Sequence, residues 1–252
     1  MLNDPNHWNV LRLFGLYGFP FVIAFIFFFG VWLASFLYFK SYLNMERSVY
    51  GAFLALFATS YMAHAFYVCI WAQVLAFFWF MVMLTADRLK IRWLEYLALV
   101  CGCASHAVSS VIFLFYYLID YEDKRKRRIA MVAFVFFALF MVGNLYNIRW
   151  SAYLNLDRFG SNDTIPPVWF IGFYMLNPFM LGTAWNSRNR LFLMFLFASL
   201  FAHNGRLTLF FIPFMVLEHV KRIEGRQGWF MSLIFNGLWA VMINLYFLRG
   251  VL

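Results

Sequence analysis

Long, nearly unbroken apolar runs limit what this chain can fold into, and three of them carry a histidine near the middle. The stretch Leu191 to Leu217 is almost wholly apolar, except at the turn Ala202-His203-Asn204-Gly205-Arg206. Asn-Gly is a chain-reversal dipeptide. Two further stretches share the design: Gly51 to Thr85 around His64, and Trp93 to Ile119 around His106. An ionisable residue at such a position is expensive unless a partner or a function accounts for it, so His64, His106, His203 and Arg206 are the first candidates for a functional site.

Composition agrees with the runs. The chain is 65% hydrophobic and 12% charged, whereas soluble domains carry about 25% charged residues. The 35 Phe and 10 Trp suit lipid-facing and interfacial surfaces, and continuous apolar runs indicate helices rather than the alternating pattern of an outer-membrane barrel. The expected fold is an all-α polytopic membrane protein in which residues 1–252 form one integral membrane domain. The formal charge of +9 would suggest a nucleic-acid partner in a soluble protein; here the positive-inside rule accounts for it, and no nucleic acid is expected. Cys69, Cys101 and Cys103 read as small hydrophobes, with neither disulfide nor metal expected.

Charge distribution selects the topology. If the three histidine-bearing stretches are single spans, Lys and Arg divide almost evenly between the two sides. If each is a hairpin, fifteen of the twenty fall on one side: Lys40, Arg47, Arg88, Lys90, Arg92, the run Lys124 to Arg128, Arg188, Arg190, Lys221, Arg222 and Arg226. The hairpin arrangement satisfies the bias of basic residues towards the cytoplasmic side. About ten helical segments follow, with short hairpins bent at the periplasmic side around an outward-facing cavity. The polar N-terminal stretch lacks the features of a cleaved signal and is expected to remain as a short arm. Spans are expected at Phe14 to Phe39, Ile129 to Ile148, Val168 to Trp185 and Trp229 to Leu248.

The sizeable outer loop after Ile148 holds Arg149, Asp157 and Arg158 among Trp150, Tyr153 and Phe159. Aromatic faces stack on sugar rings and planar polar groups bind hydroxyls, so this mixture suits carbohydrate; a solvated loop with an interfacial aromatic belt is the structural alternative. No P-loop, dinucleotide fingerprint, zinc helix or nucleophile elbow is present. Ser105 and Ser109 flank His106, but serines in helices commonly bond back to helix carbonyls.

The run WAQVLAFFWFMVMLTADRLKIRWLEYLALVCGCASHAVSSVIFLFYYLI resembles the central part of bacterial EpsG/Wzy-type polysaccharide polymerases, and NGRLTLFFIPFMVL is similar to a later helix of that family. Ala72 stands where the family usually has Arg before Gln73, and Phe210 stands in place of Tyr. The resemblance implies a metal-independent glycosyltransferase of the bacterial inner membrane. It would need no cofactor and would move a growing glycan from polyprenyl diphosphate to another lipid-linked repeat unit at the periplasmic face. Its partners would be polyprenyl-diphosphate-linked oligosaccharide, the lipid bilayer and a chain-length regulator. His106 then leads as general base for the acceptor hydroxyl, with His203 second. Arg206 would grip the leaving diphosphate through its bidentate fork. His64, Gln73, Arg149, Asp157 and Arg158 would bind substrate. A transporter or flippase of lipid-linked sugars, or a non-catalytic subunit of a glycan pathway, is the competing expectation.

Overall fold

The computed structural model describes residues 20–59, 71–105, 112–117, 124–145 and 209–249, with side chains described outside 20–28, 71–73, 133, 136, 137, 140–145, 243, 244 and 246–249. Every regular element among them is helical: α1 Pro20–Lys40, α2 Met45–Ala58, α3 Trp71–Leu89, α4 Arg92–Ser105, a helical segment at 112–117, α5 Lys124–Leu145, α6 Ile212–Arg222 and α7 Gly225–Arg249. The all-α class is therefore as expected. Over the described residues, no helix is long and apolar enough to cross a membrane.

The helix ends are built by local chemistry. Asn44 caps α2, its side-chain oxygen accepting the Arg47 N–H at 3.0 Å, which fills one of the donors a helix start leaves open. Ser41 to Asn44 thus make the whole connection between α1 and α2. Lys90 lies in the left-handed region at φ 60°. The Ile91 N–H donates to the Ala86 carbonyl at 2.9 Å and the Lys90 N–H to Asp87 at 3.2 Å, the Schellman pattern that stops a helix. Only Lys90 and Ile91 separate α3 from α4, which forces an antiparallel pair. α5 and α7 begin before the expected spans, at Lys124 and Gly225. The basic run is helical because Lys and Arg are good helix formers.

α1 packs against α2 and α3, α3 against α4, α2 against α6 and α7, and α4 against α5. The core between them is aromatic. Phe80 has no exposed surface and meets Phe113 at 5.2 Å, Phe210 at 5.2 Å, Tyr116 at 6.1 Å and Phe214 at 6.2 Å between ring centroids. All four are edge-on contacts, the arrangement the ring quadrupole favours. One cluster therefore joins α3, the 112–117 segment and α6.

The chain turns back between Ser105 and residue 112. Gly102 lies against Phe113, where an added Cβ would overlap Cζ and come within 2.7 Å of Cε1, and the Tyr117 hydroxyl reaches Glu95 at 2.9 Å. In one continuous helix Gly102 and Phe113 would be about 16 Å apart at 1.5 Å per residue. α2 and α3 likewise run in opposite directions. The Arg88 guanidinium, at the end of α3, sits 4.6 Å from the Tyr42 ring beside the start of α2, so the chain also reverses between Thr59 and Trp71.

Candidate functional site

These reversals sort the chemistry to two ends. At one end meet the close of α1, α3 and α6 and the start of α2, α4, α5 and α7. Among the described residues every charged side chain except Arg249 belongs to these termini, thirteen Lys and Arg against Glu46, Asp87, Glu95, Glu218 and Glu224. Lys221 of α6 and Arg88 of α3 both lie over the Tyr42 ring, at 5.7 and 4.6 Å. The cations expected on one side thus meet in space, apart from Arg188 and Arg190, which lie outside the described residues.

Inside this cationic end is a polar lock. Glu95, on the first turn of α4, has no exposed surface. Its Oε2 accepts from Arg125 and, at 3.4 Å, from Arg92, while its Oε1 accepts from the Tyr117 hydroxyl at 2.9 Å. Asp87, on the last turn of α3, accepts from the Tyr116 hydroxyl at 2.8 Å and pairs with Lys126 at 3.5 Å and Arg125 at 3.6 Å. Two carboxylates therefore tie the ends of α3 and α4 to the 112–117 segment and to the basic start of α5. Because their oxygens are engaged by protein donors, the lock reads as architecture rather than as a vacant reaction centre.

A second buried set joins α6 to α7. His219 Nε2 lies 2.8 Å from Ser232 Oγ, and the Asn236 amide donates to the Ser232 carbonyl at 2.7 Å and to Oγ at 3.2 Å. With Oγ accepting from Asn236, its own proton is available to Nε2, which suits a neutral imidazole. His219 stands two residues past Leu217, where the apolar run closes, and burial pushes its pKa down to about 4. Tyr50 of α2 stacks on Trp229 at 5.4 Å, with the Arg47 guanidinium 5.8 Å from the Trp229 ring.

The opposite end is where the chain reverses between Thr59 and Trp71, the interval carrying His64, and between Ser105 and residue 112, the interval carrying His106. His64, His106, His203, Arg206, Arg149, Asp157 and Arg158 all lie outside the described residues. Gln73 is in the first turn of α3, outside the described side chains. Ser105 donates to the Cys101 carbonyl at 2.6 Å, as a helical serine does when it bonds back. Phe210 is fully buried against Phe77, Phe80 and Phe113, a packing role. Among the described residues no group of His, Cys, Asp and Glu is arranged to hold a metal ion.

Reading the sequence for histidines at bends overlooked Glu95, His219 and Asn236. Glu95 and Asn236 had a usable signal, since each interrupts an apolar run. Comparison with protein-family models, curated proteins and solved structures finds no match.

Proposed function

We propose that this chain is a polytopic protein of the bacterial inner membrane, its cationic end cytoplasmic, acting as a metal-independent glycan polymerase at the periplasmic face. The membrane part is supported by α7, whose polarity is the reverse of a helix packed in water. Ser232, Asn236 and Ala240 line its buried stripe, while Phe230, Met231, Ile234, Phe235, Leu238, Val241, Met242 and Leu245 are exposed. A contiguous exposed apolar face of that size marks an interaction surface, and lipid is the surroundings in which it is stable.

The observation that carries the catalytic part is the antiparallel return of the chain on either side of His106, Gly102 against Phe113, at the end remote from the cations. A histidine in such a bend, together with His64 in the neighbouring one, suits a site facing away from the cytoplasm. Short bends below a membrane surface are tolerated where protein or a water-filled cavity surrounds them. In the reaction an acceptor sugar hydroxyl attacks the anomeric carbon of the donor glycan. The bond from that carbon to the diphosphate oxygen breaks and a glycosidic bond forms. His106 takes the hydroxyl proton, with His203 its reserve, and Arg206 stabilises the departing polyprenyl diphosphate. His64, Gln73, Arg149, Asp157 and Arg158 bind the oligosaccharides.

The test is turnover of a polyprenyl-diphosphate oligosaccharide by purified protein in lipid nanodiscs. Wild-type protein should produce lipid-linked dimers and longer products. His106→Ala should slow this by about 10²- to 10⁴-fold at normal membrane abundance. Undiminished turnover in His106→Ala would pass the base role to His203. Absence of turnover in wild type, with lipid-linked sugar instead crossing between leaflets of proteoliposomes, would replace the polymerase with a transporter.

A further inference from the structure

The outer face of α5 carries an exposed stripe that changes character along its length. Arg128, Val132, Val135 and Leu139 follow one another at helical spacing, with Lys124, Arg127 and Met131 flanking them, and all are exposed. The inward cations of the same run, Arg125 and Lys126, are matched by Asp87 and Glu95. Lys124, Arg127 and Arg128 have no carboxylate partner among the described residues. Elsewhere at this end Arg92 pairs with Glu95 and Lys221 with Glu218, while Lys40, Arg47, Lys90, Arg222 and Arg226 also have no carboxylate partner among the described residues; what sets α5 apart is that three such cations head a continuous exposed apolar stripe.

From Arg128 to Leu139 the helix rises about 16 Å, close to half of a hydrocarbon core of about 30 Å. A stripe with three cations at its head and one leaflet's depth of apolar side chain below has the dimensions and charge of a phospholipid with an anionic headgroup. We propose that this face of α5 seats such a lipid, its phosphate held by Arg128 with Lys124 and Arg127 beside it and an acyl chain lying along Val132, Val135 and Leu139. The proposal rests on the membrane reading but not on the polymerase reading. It also gives the basic run two tasks: its inner half closes the protein's own lock, and its outer half meets the leaflet.

The experiment uses the full-length protein in nanodiscs of mixed phosphatidylcholine and phosphatidylglycerol, followed by gentle detergent extraction and mass spectrometry of retained lipids. Wild-type protein should retain phosphatidylglycerol above its share in the disc. The triple variant Lys124→Gln, Arg127→Gln, Arg128→Gln should lower that enrichment by about tenfold, since each juxtamembrane cation contributes about fivefold before screening. Lys replacements at Arg127 and Arg128 should keep it, as should a second triple variant, Lys90→Gln, Arg222→Gln, Arg226→Gln. Equal loss in both Gln triples would reduce the effect to the general charge of this end and overturn the proposal. So would displacement of the lipid by inorganic phosphate, or absence of enrichment in wild type. Failure to enter discs of phosphatidylcholine alone would instead refute the membrane reading, so the two failures are distinguishable.

Discussion

At Glu95 a carboxylate with no exposed surface accepts from two guanidinium groups and a phenol, and its replacement tests the lock directly. In Glu95→Gln the amide oxygen still accepts from Tyr117, but the NH2 group faces Arg125. Breaking a buried pair from one side costs about 3–5 kcal/mol. Arg125 is about a quarter exposed, so a loss of about 3 kcal/mol is expected in detergent-titrated unfolding, and Arg125→Gln in the same chain should restore part of it. The criterion that picked out the histidines, an ionisable group inside an apolar run, also fits Glu95 and would have found it. What the sequence could not supply was the partner, because Arg125 is thirty residues away in a run that reads as uniformly basic. His219 gives a second test. Its pKa falls from an ordinary 6.5 to about 4 on burial, so above pH 6.5 the ring is neutral in both folded and unfolded chains. Between 6.5 and 4 the unfolded chain takes a proton that the folded one refuses, and stability falls as the pH drops. His219→Gln should flatten that slope in thermal unfolding followed from pH 7 to pH 4. An unchanged slope would mean that the buried imidazole does not set it.

At the scale of elements, the hairpin around His106 depends on how closely its arms approach. Gly102 gives the Phe113 ring its place, so Gly102→Ala must displace a buried aromatic side chain; overpacking of this kind costs about 1–3 kcal/mol. Gly237, on α7, is the control. An added Cβ there meets Phe57 at an ordinary 3.9 Å, and Gly237→Ala should gain about 1 kcal/mol from helix propensity. Thermal unfolding in detergent should move in opposite directions for the two variants, and equal shifts would show that the arms do not pack at Gly102. Existence and direction of these elements were legible because apolar runs and basic loops are long-range averages. The stop of α3 was not, because Lys90 in a left-handed conformation is a local choice that Gly, the usual residue at such a stop, would have signalled and Lys does not. The start of α5 was missed for a related reason. A run of five cations reads as a loop until Asp87 and Glu95 are known to neutralise two of them.

For the whole molecule, the separation of charge between the two ends is the property with the widest consequences. Positive charge on one side orients a multi-span protein, and here the described cations other than Arg249 belong to one end even though they come from seven helix termini. Lys221 and Arg88 both lie over Tyr42, so the ends of α3 and α6 meet beside the start of α2. A topology experiment reads this division directly. Single cysteines introduced at Lys90, Arg127 and Arg222 in a background lacking Cys69, Cys101 and Cys103 should be protected from impermeant thiol reagents in intact cells and become reactive once the membrane is opened. A cysteine at Asn162 or Asn204 should react in intact cells, because the proposed site faces outward. Agreement among Lys90, Arg127 and Arg222 tests the convergence of the helix ends, and their contrast with Asn162 and Asn204 tests which way that end faces. If all five positions labelled alike in intact cells, neither the orientation nor an outward-facing site near His106 could stand.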